Sequence, residues 1–246
     1  MTSDSLTIRP VESKSDRKAF VDLAWEVYKS DPYWVPPLKD EVHGLLDPKK
    51  NPWFGHGRAE LWLAERGGEV VGRISAQVDD LVQTHMGQGI GQWGMFEALD
   101  GEAAAALIAT AEEWLRGQGM TKALGPISIS IWDEPGLLIE GFKQSPMVMM
   151  GHHRPEYRAW IESAGYTKAK DLHTYELDIR IDMIPVIDRL IKSGEKNPRI
   201  RIRNVDKSRF DEEARLILEI LNDAWSDNWG FVPFTEAEIA YSVKKL

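Results

Sequence analysis

The chain has no cysteine among its 246 residues. Disulfides, thiolate nucleophiles and cysteine-based zinc sites are therefore excluded, and the composition is typical of a reducing compartment, which predicts the cytoplasm. The chain also lacks a run of about 20 apolar residues, the length a membrane-spanning helix needs. Residues 1–10 show no basic segment followed by an apolar one, so we expect neither a signal peptide nor contact with a membrane.

An excess of positive charge is missing as well. The 30 basic residues face 39 acidic ones, which gives a formal net charge of −9. Without a positive field to gather phosphate groups, nucleic acid is not an expected partner. The acidic pairs Glu112-Glu113 and Glu212-Glu213 stand isolated on predicted helices, so we expect no metal site.

Hydrophobic residues make up 43% of the chain, enough for one large domain or one and a half ordinary ones. The periodicity of apolar residues predicts the element order β α α β β β α β α β for the first 180 residues. Strands are predicted at 6–11, 60–65, 70–78, 92–98, 122–129 and 171–179. Helices are predicted after a cap at Ser15 or Asp16, at 38–46, after a cap at Asp100, and from Pro155.

Two short segments near the N-terminus recur in the C-terminal part of the chain. The segment IRPVE at 8–12 recurs as IRNVD at 202–206, and SDPYWVP at 30–36 recurs as SDNWGFVP at 226–233. Between them, 183–191 is a predicted connecting helix, and 193–198 has the composition of a linker. After a strand at 200–205, a helix at 210–225 is predicted with Ala214, Ile217, Leu218 and Leu221 facing inward.

The repeat predicts three regions. These are a domain at 1–182, a helix and linker at 183–198, and the first strand and helices of a second, incomplete domain at 199–246. An unfinished sheet leaves apolar helix faces uncovered, so we expect a second copy of the chain or a further C-terminal segment to cover them.

Three segments carry a family resemblance: the hairpin 65–73 (ERGGEVVGR), the strand and helix 92–115, and the segment 157–175 with WIESAGY at its centre. Their order resembles the GNAT superfamily of N-acetyltransferases, and the tandem arrangement resembles bacterial proteins built from two such domains. The resemblance covers residues 6–180. It implies an α/β fold with a mixed, mostly antiparallel central sheet flanked by helices.

The resemblance also implies acetyl-CoA, or another acyl-CoA, as co-substrate. In that family the pantetheine arm pairs with the fourth strand, here at Gly94, Met95 and Phe96. The pyrophosphate rests on the N-terminus of the next helix, whose amides and dipole favour an anion. The residues that match this helix start are Gly101, Glu102, Ala103 and Ala104.

That helix start has an alternative interpretation. The family's signature begins with Gln or Arg, where this chain has Ala98, and Asp100 and Glu102 put negative charge where phosphate should lie. An ordinary capped helix prefers the same two acidic residues, so both interpretations stay open.

Catalytic candidates follow from the need for groups that exchange protons. Glu97, beside the expected thioester position, is the candidate base, although a lone carboxylate on a strand usually faces solvent. The family's tyrosine acid falls at Ile161, and Tyr157 lies one turn earlier on the same helix face; a structural tyrosine is its alternative. His152 and His153 could reach the same cleft from what is otherwise a surface loop. The segment 133–142 is interpreted as a lid, a substrate wall or packing for the second domain.

Two functions are therefore expected. The first is an acyl-CoA-dependent N-acyltransferase, transferring an acetyl group to an unidentified small-molecule amine by direct attack on the thioester. The second is a GNAT-like binding or assembly module that has lost catalytic activity, which the departures at Ala98 and Ile161 favour. Fold alone does not separate the two.

Overall fold

The structure is a computed structural model that describes residues 5–178, 180, 182, 184–201 and 203–244. Its strands are β1 (Thr7–Pro10), β2 (Gly57–Arg66), β3 (Glu69–Asp79), β4 (Ile90–Ala98), β5 (Lys122–Leu124), β6 (Ile127–Ser128) and β7 (Glu134–Pro135). Strands β1 to β5 form one sheet in sequence order, in which β1 to β4 are antiparallel and β5 runs parallel to β4. The short strands β6 and β7 pair with each other.

Helices cover both faces of this sheet and continue beyond it. They are α1 (Lys14–Val27), α2 (Lys39–Leu45), α3 (Asp80–His85), α4 (Gly101–Gly117), α5 (Glu156–Ser163), α6 (Pro185–Glu195), α7 (Phe210–Ala224) and α8 (Glu236–Val243). The predicted mixed, mostly antiparallel sheet flanked by helices is confirmed. Within the described ranges, no helix has the length and apolar character required to cross a bilayer.

The β2–β3 hairpin forms where the glycines predicted it. Gly67 and Gly68 adopt φ values of 61° and 87°, and Arg66 pairs with Glu69 across the turn. Only glycine takes such positive φ values without steric cost, so the turn and the register are fixed together.

The helix caps are partly as predicted. Asp100 caps α4, because its side chain accepts the amide of Ala103 at 2.9 Å. The cap of α1 is Ser13 rather than Ser15 or Asp16. Ser13 and Asp16 exchange hydrogen bonds as a capping box, which places Asp16 inside the first turn.

The central strand β4 is not regular. Its register with β3 shifts between the pairs Ser75–Gly94 and Arg73–Glu97, so β4 carries an extra residue there. Met95 has a φ of 46° in this bulge, a value that is strained for a side chain larger than glycine's. The bulge lies where the sheet leads into the candidate site.

The strand predicted at 122–129 is split. Residues Lys122–Leu124 pair with β4, and after the cis peptide bond Gly125–Pro126 the chain turns and forms β6 instead. A proline removes the amide that a continuous strand would need for its ladder.

Two predicted strands are wrong. The described residues of 171–179 and of 200–205 form no strand, and their side chains are exposed, including Tyr175 at 83%. Alternating apolar residues make a strand only where a sheet edge offers partners, and neither segment has one here. Ile179 and Ile202 lie outside the described residues.

Apolar residues fill both faces of the sheet. One core lies between the sheet and α4 and α5, around Trp93, Leu107 and Tyr157. The other lies beneath α1 and α2, around Phe20 and Trp53.

The C-terminal helices are less well buried. The connecting helix runs from Pro185 to Glu195 rather than over 183–191, and Met183 lies outside the described residues. On α7, Ala214 is buried as predicted and Leu218 and Leu221 are half-buried. Ile217, predicted to face inward, is 51% exposed, because α8 covers only one side of α7.

The aromatic side chain of Trp132 contacts the end of α7 and the segment that connects α7 to α8. Its ring stacks on Phe234 with a centroid distance of 4.2 Å and on Trp225 at 5.7 Å, and its indole N–H donates to the carbonyl oxygen of Val232 at 2.9 Å. In the segment 133–142, Leu137 packs against the first core. Glu134–Pro135 pairs with β6.

Candidate functional site

Four polar side chains meet at the end of β4, and we call them the Glu97 centre: Tyr28, Arg73, Glu97 and Tyr157. Glu97 is buried, and its Oε2 accepts hydrogen bonds from the Tyr157 hydroxyl at 2.7 Å and the Tyr28 hydroxyl at 3.0 Å. Its Oε1 lies 3.6 Å from Nη2 of Arg73. The expectation that this carboxylate faces solvent is wrong, because α1 and α5 cover it.

The elements around β4 explain this geometry. Tyr28 follows the end of α1, Tyr157 lies in the first turn of α5, and Arg73 is the β3 partner of Glu97. Nη1 of Arg73 also donates to the carbonyl oxygen of Phe20 at 2.8 Å. A buried charge is tolerated only when paired and hydrogen-bonded, and all four members supply such contacts.

Burial controls the proton equilibria of the centre. It raises the pKa of Glu97 above the ordinary carboxyl value, while the charge of Arg73 and the hydrogen bonds from Tyr157 and Tyr28 oppose the shift. Burial and the neighbouring Glu97 charge raise the pKa of both tyrosines above their usual range. Tyr157 is completely buried and therefore holds its proton toward Glu97.

The strand positions predicted to pair with pantetheine lie against the chain itself. A Cβ at Gly94 would stand 2.1 Å from the carbonyl oxygen of Ile127, so β6 touches the strand there. The Met95 amide donates to Oγ of Ser128 at 3.1 Å. Phe96 points into the core, with its ring edge-on to Tyr157.

At the start of α4 the amides have protein partners. Besides the Asp100 side chain on the Ala103 amide, the Ala104 amide donates to the Asp100 carbonyl oxygen at 3.1 Å. Ala103 and Ala104 are both fully buried. A Cβ at Gly101 would lie 3.2 Å from Nε1 of Trp160, so an indole covers this end of the helix.

The acidic residues at this helix start have a basic partner. Arg66 from the β2–β3 hairpin forms ion pairs with Asp100 and, at 2.6 Å, with Glu102. The interpretation of an ordinary capped helix therefore describes the observed contacts.

These contacts decide whether an acyl-CoA fits the described conformation. Ser128 holds the Met95 amide, Ile127 lies on Gly94, and Asp100 takes the amide that a phosphate would bind. The two predicted contact points are thus filled by the protein's own atoms. Binding of an acyl-CoA at these positions would require β6 and the Asp100 side chain to give up these contacts.

The adjacent histidines have different partners. His152 is buried, and its Nε2 lies 2.8 Å from Oδ2 of Asp31, while its Nδ1 is buried without a hydrogen bond. His153 accepts the Leu138 amide on Nδ1 at 3.1 Å. Burial lowers the pKa of His153 to about 4. The pair is therefore not a plain surface loop.

The sequence analysis missed the polar face of β3. Arg73, Ser75, Gln77 and Asp79 alternate along the strand, point to one face and are all buried. Asp79 at the end of this row contacts His56, with Oδ1 2.9 Å from Nδ1. The sequence contains this pattern, with a polar residue at every second position from 73 to 79, and it could have predicted a polar face on β3.

The described residues contain no group of three or more His, Asp or Glu side chains arranged to hold a metal ion. His56, for example, lies between Asp79 at 2.9 Å and Glu238 at 3.3 Å. The geometry is thus that of hydrogen-bonded and ion-paired side chains.

No protein-family model matches the chain. A solved tandem GNAT protein from the clavulanic acid biosynthesis pathway superposes with a TM-score of 0.51, at 17% identity, over 97% of this chain and 64% of the other. The chain has the GNAT fold.

Two curated relatives are similar over nearly the whole chain. The bacterial ceramide synthase of Caulobacter vibrioides is 43% identical over 100% of this chain, and protein YghO of Escherichia coli is 42% identical over 95% of it. The chain spans 64% and 60% of the lengths of these two relatives.

Proposed function

We propose that this protein is an N-acyltransferase that forms an amide from the acyl group of a CoA thioester and a small-molecule amine. The observation that carries the proposal is the Glu97 centre. It puts a buried, ion-paired and hydrogen-bonded carboxylate two residues beyond the β4 bulge. Strained backbone and buried charge are both costly to a fold, and they concentrate at functional sites.

The name of one relative suggests the acceptor. A ceramide is the amide of a fatty acid and a long-chain amino alcohol, and the relative named for its synthesis is 43% identical to this chain. We propose an acceptor of the same class here, with acetyl-CoA or a longer acyl-CoA as donor. The chain spans 64% of that relative's length, so only the class of acceptor is proposed from it.

The chain's own residues have distinct roles in this proposal. Arg73, Tyr28 and Tyr157 fix the carboxylate of Glu97 beside the bulge and keep water away from it. In the described conformation, Gly94 and Met95 are in contact with β6. Binding of an acyl-CoA along β4 would require β6 to move.

A second candidate rests on that same observation. With the Met95 amide bound to Ser128 and the α4 start closed by Asp100 and Trp160, the domain could serve as a GNAT-like binding or assembly module without catalysis. The two candidates differ in whether the chain binds an acyl thioester.

The test is amide formation by the purified chain. Acetyl-CoA or a long-chain acyl-CoA is supplied with a long-chain amino alcohol, and products are followed by mass spectrometry while acyl-CoA binding is measured by calorimetry. We expect amide formation, with the rate lowered about tenfold or more in Glu97→Gln and unchanged in Glu113→Gln, a matched change on an exposed residue of α4. Absence of both product and acyl-CoA binding would leave the non-catalytic module.

A further inference from the structure

The Glu97 carboxylate is held by three neighbours that favour its charged form. Oε2 already accepts two tyrosine hydroxyls, and Oε1 faces the Arg73 guanidinium. A base needs a lone pair that is not already used and a partner that stabilises the protonated form. The proton acceptor is therefore sought in another group near this centre.

His152 has such a lone pair. Its Nε2 lies 2.8 Å from Asp31, whose carboxylate can only accept, so Nε2 carries the hydrogen and Nδ1 is left bare. The His152 side chain is 2% exposed, and Nδ1 is buried with no hydrogen-bond partner. Because an unsatisfied buried nitrogen costs stability, a partner that is bound only during function would explain it.

Asp31 is suited to support a protonated imidazole. Although burial opposes the shift, hydrogen bonds from His152 and from the Tyr33 amide lower the pKa of Asp31 below its ordinary value. Its Oδ1 accepts that amide at 2.9 Å. The carboxylate is thus held in place by the loop that follows α1, ready to balance a positive charge on His152.

The His152–Asp31 pair lies beside the Glu97 centre. The imidazole packs edge-on against the ring of Tyr28, with centroids 5.6 Å apart, and the hydroxyl of that tyrosine donates to Glu97. The neighbouring His153 cannot substitute, because its Nδ1 is occupied by the Leu138 amide.

The chain just before His152 indicates the character of an acceptor. Residues 147–150 have the sequence MVMM, and all four side chains are exposed, Val148 by 89%. Methionine side chains are flexible and polarisable, and surfaces rich in them adapt to apolar ligands. An amine with a long apolar chain could rest its chain on this segment while its nitrogen meets the imidazole.

We propose that His152, oriented by Asp31, is the base that takes a proton from the acceptor amine. The N–H bond of the ammonium group breaks, the proton passes to Nδ1 of His152, and the nitrogen keeps the electron pair, which leaves the amine neutral and nucleophilic. Asp31 stabilises the imidazolium that forms. The catalytic part of this proposal rests on the proposed N-acyltransferase function.

The decisive variant is His152→Gln, because its amide nitrogen retains a donor toward Asp31 but supplies no basic lone pair. We expect kcat to fall about 100-fold or more, KM to change less than about threefold, and the loss of rate at low pH to disappear. His153→Asn, which keeps an acceptor for the Leu138 amide, is the matched control and retains the wild-type pH profile. Unchanged kcat or an unchanged pH profile in His152→Gln would overturn the proposal.

A second measurement does not depend on turnover. Long-range ¹⁵N correlation spectra of the wild-type chain report the tautomer of His152 directly. We expect hydrogen on Nε2, an unprotonated Nδ1, and a saturable shift of Nδ1 when dodecylamine hydrochloride is added but not when dodecanol is added. A hydrogen on Nδ1, or equal shifts with both probes, would refute the role of His152. The expected spectra without any amide product would refute only the proposed function.

Discussion

Removal of the Tyr157 hydroxyl should destabilise the protein more than removal of the Tyr28 hydroxyl. Tyr157→Phe deletes a donor to the Glu97 carboxylate, a bond to a charged group worth about 1.5–3 kcal/mol. It also deletes the acceptor of the Ala98 amide, at 3.2 Å, which adds about 1–3 kcal/mol. Tyr28→Phe loses its bond to Glu97, about 1.5–3 kcal/mol, and its contact with the Tyr157 hydroxyl, which Tyr157→Phe loses as well.

The measurement is the free energy of unfolding in urea at neutral pH. We expect Tyr157→Phe to cost about 3–5 kcal/mol and to exceed Tyr28→Phe by about 1 kcal/mol or more. Tyr33→Phe, at a tyrosine that is 36% exposed, is the matched control and should change stability by less than about 0.5 kcal/mol.

The pH dependence of that cost has a definite sign. The folded state binds a proton on Glu97 more tightly than the unfolded state does, because burial raises its pKa. Loss of a tyrosine donor raises that pKa further, since the donor stabilises only the charged form. The cost of Tyr157→Phe should therefore shrink as the pH falls and Glu97 becomes protonated. A cost that is equal to that of the control, or that grows toward low pH, would refute this account of the centre.

Three further outcomes are expected. Gly94→Ala should cost about 1–3 kcal/mol of stability, because its Cβ would meet the Ile127 backbone. Gly117→Ala has open space around it and should be neutral or stabilising by about 0.5 kcal/mol. Urea unfolding of the two variants measures the difference. Burial lowers the pKa of His153 from its ordinary value of 6.5 to about 4. Below pH 6.5 the folded state therefore binds fewer protons than the unfolded state. The stabilisation that results from the neutral, buried His153 is complete above pH 6.5 and declines by about 2 kcal/mol toward pH 5. The measurement compares the pH dependence of the free energy of unfolding between the wild type and His153→Asn. Trp132→Ala should raise amide exchange in α7 and α8 while β2 and β3 keep their protection, since its ring stacks on the C-terminal segment; uniform loss of protection would contradict this.

Local signals in the sequence predicted individual helices and turns well. The glycines at 67 and 68, the cap at Asp100 and the apolar periodicity of α1 and α4 each act within a few residues, and the structure has the corresponding elements. The strands at 171–179 and 200–205 failed because their formation depends on a partner edge, which no local pattern specifies.

The candidate site was predictable in part. Glu97 and Tyr157 were selected from separate elements, and the structure joins them by a hydrogen bond of 2.7 Å. Their partners Arg73 and Tyr28 come from β3 and the end of α1, a convergence that requires the register of the sheet and the packing of two helices. The catalytic and cofactor-binding roles of the selected residues stay predictions.

The two faces of β3 explain why the polar centre lies where it does. Ile74, Ala76 and Val78 belong to the apolar core shared with α4. The alternate residues, from Arg73 to Asp79, are buried and polar. A strand buried on both sides normally carries apolar residues on both, so the polar face is retained at a cost in stability. Glu97 of β4 lies beside Arg73 at one end of this row, and Asp79 forms the other end. His152 lies against Tyr28 near the Glu97 end.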